Sequence, residues 1–153
     1  MKLAPVLALL VSFSAQAAEC LRYSEEVTLH GVLSRHTFPE QPNYESIAKG
    51  DAKASYFFVT PPKPFCVAEG ANADGLEPAE PQVARVQLHL SSREYNRLRP
   101  YLGFKVVCLG YLDSATTGHH HSPVMLAGAK CRPTRQSTRT LRDEATQRRS
   151  SPR

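Results

Sequence analysis

The residues with the most chemistry in them are three consecutive histidines in "GHHHSPVML", Gly118 to Leu126. Imidazole ligates zinc and copper, exchanges protons near neutral pH and hydrogen-bonds through either ring nitrogen. Neighbours in extended chain alternate sides, so His119 and His121 form the natural pair and His120 points the other way. Two imidazoles are too few for a tight site, because catalytic zinc takes three protein ligands plus water and structural zinc takes four. A zinc or copper site through His119 and His121 therefore needs His36 to complete it, or Asp113, Glu45 or Asp51. The competing readings are a histidine hydrogen bond that fixes a turn, and direct contact with a ligand.

Other catalytic signatures are missing. There is no G-x-S-x-G elbow and no H-E-x-x-H pair, which removes the common hydrolase and metalloprotease patterns. His30 and His89 fall on expected strands, where a structural histidine is the simpler reading. A metal-dependent hydrolase would also need an open coordination position and a nearby general base, and nothing singles one out. The chain is therefore read as non-enzymatic, with no cofactor beyond such a zinc or copper ion.

The ends of the chain place it. Met1-Lys2, an apolar run from Leu3 to Phe13 and Ser14-Ala15-Gln16-Ala17 supply, in order, the three parts of a secretory signal peptide over residues 1–17. The apolar run is well short of the roughly 20 residues that a membrane span needs, and no later run is longer. Glu19 directly before Cys20 argues against a lipid anchor. The expectation is a periplasmic or secreted protein.

From Arg132 to Arg153 there are seven arginines against Asp143 and Glu144, which accounts for the whole formal net charge of +5. The body is neutral, so it lacks the basic bias of a phosphate-binding surface, and no nucleic-acid partner is expected. Leu141 is the one large apolar residue of this tail, which reads as a disordered basic extension over 132–153.

Residues 18–131 are one domain's worth of chain. Val27, Leu29, Gly31 and Leu33 alternate with Thr28, His30, Val32 and Ser34 in a strand pattern that Gly31 bends. A long loop follows, His36 to Ala54. "SYFFVT", Ser55 to Thr60, is a second strand whose three aromatic residues must divide between the two faces of the sheet. Pro61 to Pro81 is rich in proline and reads as an irregular excursion. "VARVQLHL", Val83 to Leu90, is a third strand, with Ala84, Val86, Leu88 and Leu90 toward the core. Ser91-Ser92-Arg93-Glu94 has the form of a capping box and opens a short helix that Pro100 closes. "FKVVCLGYLD", Phe104 to Asp113, bent at Gly110, and "VMLAGAKC", Val124 to Cys131, are the fourth and fifth strands.

Five strands with a helix between the third and fourth is the chain order of an OB-fold, a small, mainly β barrel. In that fold the loops joining strands 1 and 2 and strands 4 and 5 rim the ligand-binding face. Here they hold "FPEQPNYES" and "TTGHHHS". Tyr44 is the best exposed aromatic candidate, with Pro42 and Asn43 beside it.

"CLRY", "HGVL", "FPEQPNYESI", "PFCV" and "TGHHHSPVML" together resemble domain-of-unknown-function family 4431, exported bacterial proteins with no established activity. The resemblance spans nearly all of Cys20 to Cys131. Four cysteines allow three pairings. The resemblance implies that a family disulfide would fall on Cys20 and Cys66. Cys108 and Cys131 then pair across the hairpin of the last two strands.

Taken together, the residues describe an exported, non-enzymatic binding module of the bacterial envelope, monomeric and without a membrane span. Its rim would be residues 38–46 and 117–122, with Tyr44, Asn43, His119, His120 and His121 as ligand-binding candidates. The ligand would be an envelope protein, a glycan or a small molecule. The alternative is a periplasmic zinc- or copper-binding protein using His119 and His121.

Overall fold

A computed structural model describes residues 19–72 and 75–150; the expected signal peptide lies outside them. The chain is mainly β. Its strands are β1 (Glu26–Pro39), β2 (Lys53–Thr60), β3 (Phe65–Val67), β4 (Gly70–Asn72), β5 (Gly75–Glu77), β6 (Glu80–Val83), β7 (Val86–Leu88), β8 (Lys105–Ser114) and β9 (Val124–Pro133). Helix α1 (Ser92–Leu98) stands between β7 and β8, and α2 (Arg135–Ser150) follows β9.

Five of the strands close into a barrel in the order β1-β2-β7-β9-β8. The β7–β9 pair is parallel and the others are antiparallel. Val27, Leu29, Gly31 and Leu33 face inward, as their alternation demands. Strand β1 pairs with β8 from Glu26 to Val32 and with β2 from Val32 to Pro39, so it changes partner next to Gly31. The change brings the backbones together: a Cβ on Gly31 would lie 2.4 Å from the Thr60 carbonyl oxygen. Gly110 marks the other irregularity, a register shift between Leu109 and Tyr111 against β9.

Both disulfides form as expected. Cys108 and Cys131 are direct cross-strand partners in the core, while Cys20–Cys66 fastens the N-terminal stretch to β3. Ser91 caps α1 by accepting the Glu94 amide hydrogen. Arg97 on the same helix donates to the Cys131 carbonyl at 2.6 Å and ties α1 to β9.

Four expectations need correction. The loop read as His36 to Ala54 is shorter, because β1 continues to Pro39 and β2 starts at Lys53. Residues 61–81 are not irregular: β3 pairs with β6 and β4 with β5, giving two small ribbons beside the barrel. These strands, of three or four residues each, are too short for alternation to reveal them, and β3 pairs with β6 across the intervening β4–β5 ribbon. The third strand is not continuous from Val83 to Leu90. It breaks at Ala84-Arg85, leaving Ala84 exposed and only Val86 to Leu88 in the barrel. The tail is not disordered throughout, since β9 runs to Pro133 and residues 135–150 are helical. Composition pointed to disorder because no core is available, but α2 has a local start: Thr134 accepts from the Ser137 amide, and the Ser137 hydroxyl donates to the Lys105 carbonyl at 2.8 Å.

Within the ribbons Glu77 is 2 % exposed, and neither carboxyl oxygen has a hydrogen-bond partner among the described residues. An unpartnered buried carboxyl is destabilising, so Glu77→Gln is expected to raise stability by about 1 kcal/mol or more in urea unfolding. A fall in the midpoint would assign the carboxyl a stabilising contact instead.

Candidate functional site

The aromatic run in β2 divides as its alternation requires. Phe57 points into the barrel and stacks on Tyr95 of α1 at 4.2 Å, whereas Tyr56 and Phe58 lie on the outer face. Phe58 is nonetheless fully buried, because His36 and Phe38 of β1 and the guanidinium of Arg85 cover it. This apolar patch outside the barrel is the floor on which the histidine loop rests. Phe38 stacks flat on His121 with ring centroids 3.8 Å apart.

The buried carboxylate of Glu40 joins the two loops. It directly follows β1, accepts the Tyr56 hydroxyl at 2.6 Å, pairs with Nδ1 of His119 and lies 3.7 Å from Nε2 of His121. Burial tends to raise the Glu40 pKa, but the Tyr56 hydrogen bond and the His119 imidazole prevail and hold it below the ordinary carboxylate value. Burial and the same carboxylate push the Tyr56 hydroxyl well above its ordinary range. Burial lowers His121 and favours its neutral form.

Gln87 of β7 holds the histidine loop from the other side. Its amide nitrogen donates to the His119 carbonyl at 2.9 Å and its oxygen accepts the His121 amide at 2.6 Å. His120 turns away and accepts the Thr116 amide at 2.8 Å, a hydrogen bond that closes the turn. The first loop is organised by buried Asp51, which accepts from the amides of Asn43, Glu45 and Ser46. Those bonds, that from Ser46 foremost, hold its carboxyl below the ordinary value.

The candidate residues therefore separate. His119 and His121 converge on Glu40, and Tyr44 sets its ring edge-on to His119 with centroids 5.7 Å apart. Asn43 spends its side-chain amide on Asp51, so it builds the loop. His36 covers Phe58 and is not the third member of the histidine pair. Among the described residues no group of three or more His, Cys, Asp or Glu side chains is arranged to hold a metal ion. Glu40 and Gln87 escaped sequence reasoning. The available signal was Glu40 sharing the alternation of His36 and Phe38 past the end of β1, whereas Gln87 was masked between Arg85 and His89 on the polar face of the strand as read.

Beside this network a cleft of about 620 Å³ opens between β2, the turn after β7, α1 and the histidine loop. Topology explains it. Strand β7 covers only Phe58 and Val59 of β2, so Ser55 to Phe57 have no strand neighbour on that side. His119 and His120 form one wall. No residue of 38–46 lines the cleft; that loop braces the wall from behind.

Residues 85–127, which include β7, α1, β8 and the histidine loop, match the model of a family described as Domain of unknown function (DUF4431). The matched stretch is well under half of the chain. It supplies Gln87, the three histidines and most of the cleft wall, while Glu40, Tyr44 and Tyr56 come from chain outside the match. No curated protein and no solved structure matches the chain.

Proposed function

We propose that this protein is an exported, non-enzymatic binding module of the bacterial envelope that takes its ligand at the rim formed by residues 38–46 and 117–122. The observation that carries the reading is the Glu40 brace. A buried carboxylate from the first loop pairs with His119 of the second and lies 3.7 Å from His121, which braces one wall of a cleft of about 620 Å³. Preorganisation of this kind lowers the entropic cost of binding. The barrel order, with its one parallel pair between β7 and β9 and with α1 between β7 and β8, supports an OB-fold reading, in which these two loops flank the usual ligand face.

Export is supported by the signal-like start, and by two disulfides, which persist in oxidising compartments. Among the described residues no helix is long and apolar enough to cross a membrane.

The test is an amide chemical-shift titration of the oxidised full-length mature chain with solubilised envelope fractions. Shifts are expected to concentrate at Phe38 to Ser46 and Thr117 to Ser122. They should be lost on combining Tyr44→Ala with His119→Ala, His120→Ala and His121→Ala in a variant whose barrel amides are unmoved. Interactions that survive in that variant, or shifts confined to barrel surface away from both this rim and the cleft beside it, would overturn the assignment.

A further inference from the structure

We propose that the cleft beside His119 binds an uncharged, hydroxyl-rich ligand, a short neutral saccharide. The inference rests on the binding role just assigned to this rim and names the chemistry of its ligand. A volume of about 620 Å³ falls within the roughly 300 to 1,000 Å³ of small-molecule sites.

The lining selects the class. Not one of the residues that line the cleft is Asp, Glu, Lys or Arg. Apart from its histidines, the lining offers an ionised ligand no opposite charge to offset the hydration it would lose. What the walls offer is hydroxyl and amide chemistry from Ser55, Ser92, Asn96 and Thr117. These groups both donate and accept, which matches ligand hydroxyls in either role. Burial holds the His120 imidazole below its ordinary pKa, and since its Nδ1 accepts the Thr116 amide, the neutral ring adds one uncharged donor through Nε2.

The remaining surface is apolar or aromatic. Tyr95 is fixed by its stack on Phe57, and Leu88, Leu90 and Met125 contribute hydrocarbon. A pyranose presents the same division, with C–H faces and a hydroxyl rim. The nearest carboxylate in the network, Glu40, is not in the lining and is occupied by Tyr56 and His119. Gln87 is likewise committed to the loop backbone, which leaves Asn96, exposed on α1, as a free amide of the cleft.

The experiment is calorimetric and amide-shift titration of the oxidised full-length mature chain with neutral trisaccharides built from N-acetylglucosamine, glucose and galactose. The de-N-acetylated cationic form of the first and a uronic-acid trisaccharide serve as charged counterparts. At least one neutral sugar should bind and move the amides of Ser55, Asn96 and Thr117, with both charged counterparts about tenfold weaker or more. Asn96→Ala should weaken the neutral sugar by about tenfold, the loss expected for one hydrogen bond. Equal or tighter binding of a charged sugar, indifference to Asn96→Ala, or no binding by any neutral sugar would overturn the proposal. If envelope fractions still shift the rim amides in that case, only the ligand class fails. If they do not, the binding role fails with it.

Discussion

Replacing Glu40 by alanine is expected to lower stability by about 2 kcal/mol, and Glu40→Gln by clearly less. Alanine removes the acceptor of the Tyr56 hydroxyl and the partner of His119 at once, together with the carboxylate 3.7 Å from His121. Glutamine keeps an acceptor for Tyr56 and loses the charge and the second acceptor oxygen, the one that faces half-exposed His119. His119 is half exposed, so water screens its share of the loss. Urea unfolding of the three proteins checks this, and a Glu40→Ala midpoint equal to wild type would show that the two loops stand without the brace.

The same group gives the protein an acid limb. The folded-state carboxyls of Glu40 and Asp51 lie below their ordinary values of 4.5 and 3.8. Their contribution is therefore fully present above those values and is lost as pH falls through the lower folded ones. His121 adds an earlier onset. Its folded pKa is below the ordinary 6.5, so on acidification the unfolded chain takes up that proton first and stability begins to decline. Glu40→Gln should flatten the limb below about pH 4.5 and leave its start near pH 6.5. An unchanged lower limb would remove Glu40 from this account.

Loss of the Cys108–Cys131 bridge is expected to cost about 3 kcal/mol in a Cys108→Ala, Cys131→Ala variant. The cysteines are 23 residues apart in sequence, and both are buried in the barrel core, so lost chain restriction and lost packing act together. Cys20 and Cys66 are only half buried at the edge of the ribbons. Under native conditions a reductant should therefore open Cys20–Cys66 first and reach Cys108–Cys131 only when the barrel opens. Alkylation trapping with mass spectrometry reads the order, and early labelling of Cys108 or Cys131 would contradict the burial argument.

The sequence was most legible where one physical rule acted alone. Alternation placed the inward face of β1, the S-x-x-E pattern placed the cap of α1, and Gly31 and Gly110 marked where strands must bend or crowd. The resemblance led to the Cys20–Cys66 bridge, and the hairpin of the last two strands to Cys108–Cys131. It was least legible where distant side chains decide. Glu40 is an ordinary carboxylate until folding sets it against Tyr56, 16 residues on, and against His119, and Gln87 acts on a loop 32 residues away. The cleft was hidden for a related reason. It arises from how little of β2 the short β7 covers, and no pattern in either strand encodes that shortfall.

The route by which β1 completes its pairing also sets the order of assembly. The hairpin of β8 and β9 is local in sequence, whereas β1 must find β8 across most of the domain. Closing so long a loop is entropically slow, as in other folds rich in non-local contacts. As the chain emerges N-terminus first, β1 and β2 present an unpaired strand edge until β8 arrives. That edge is the stretch from Glu26 to Val32, and it is the segment through which newly made copies would meet one another before the barrel shuts.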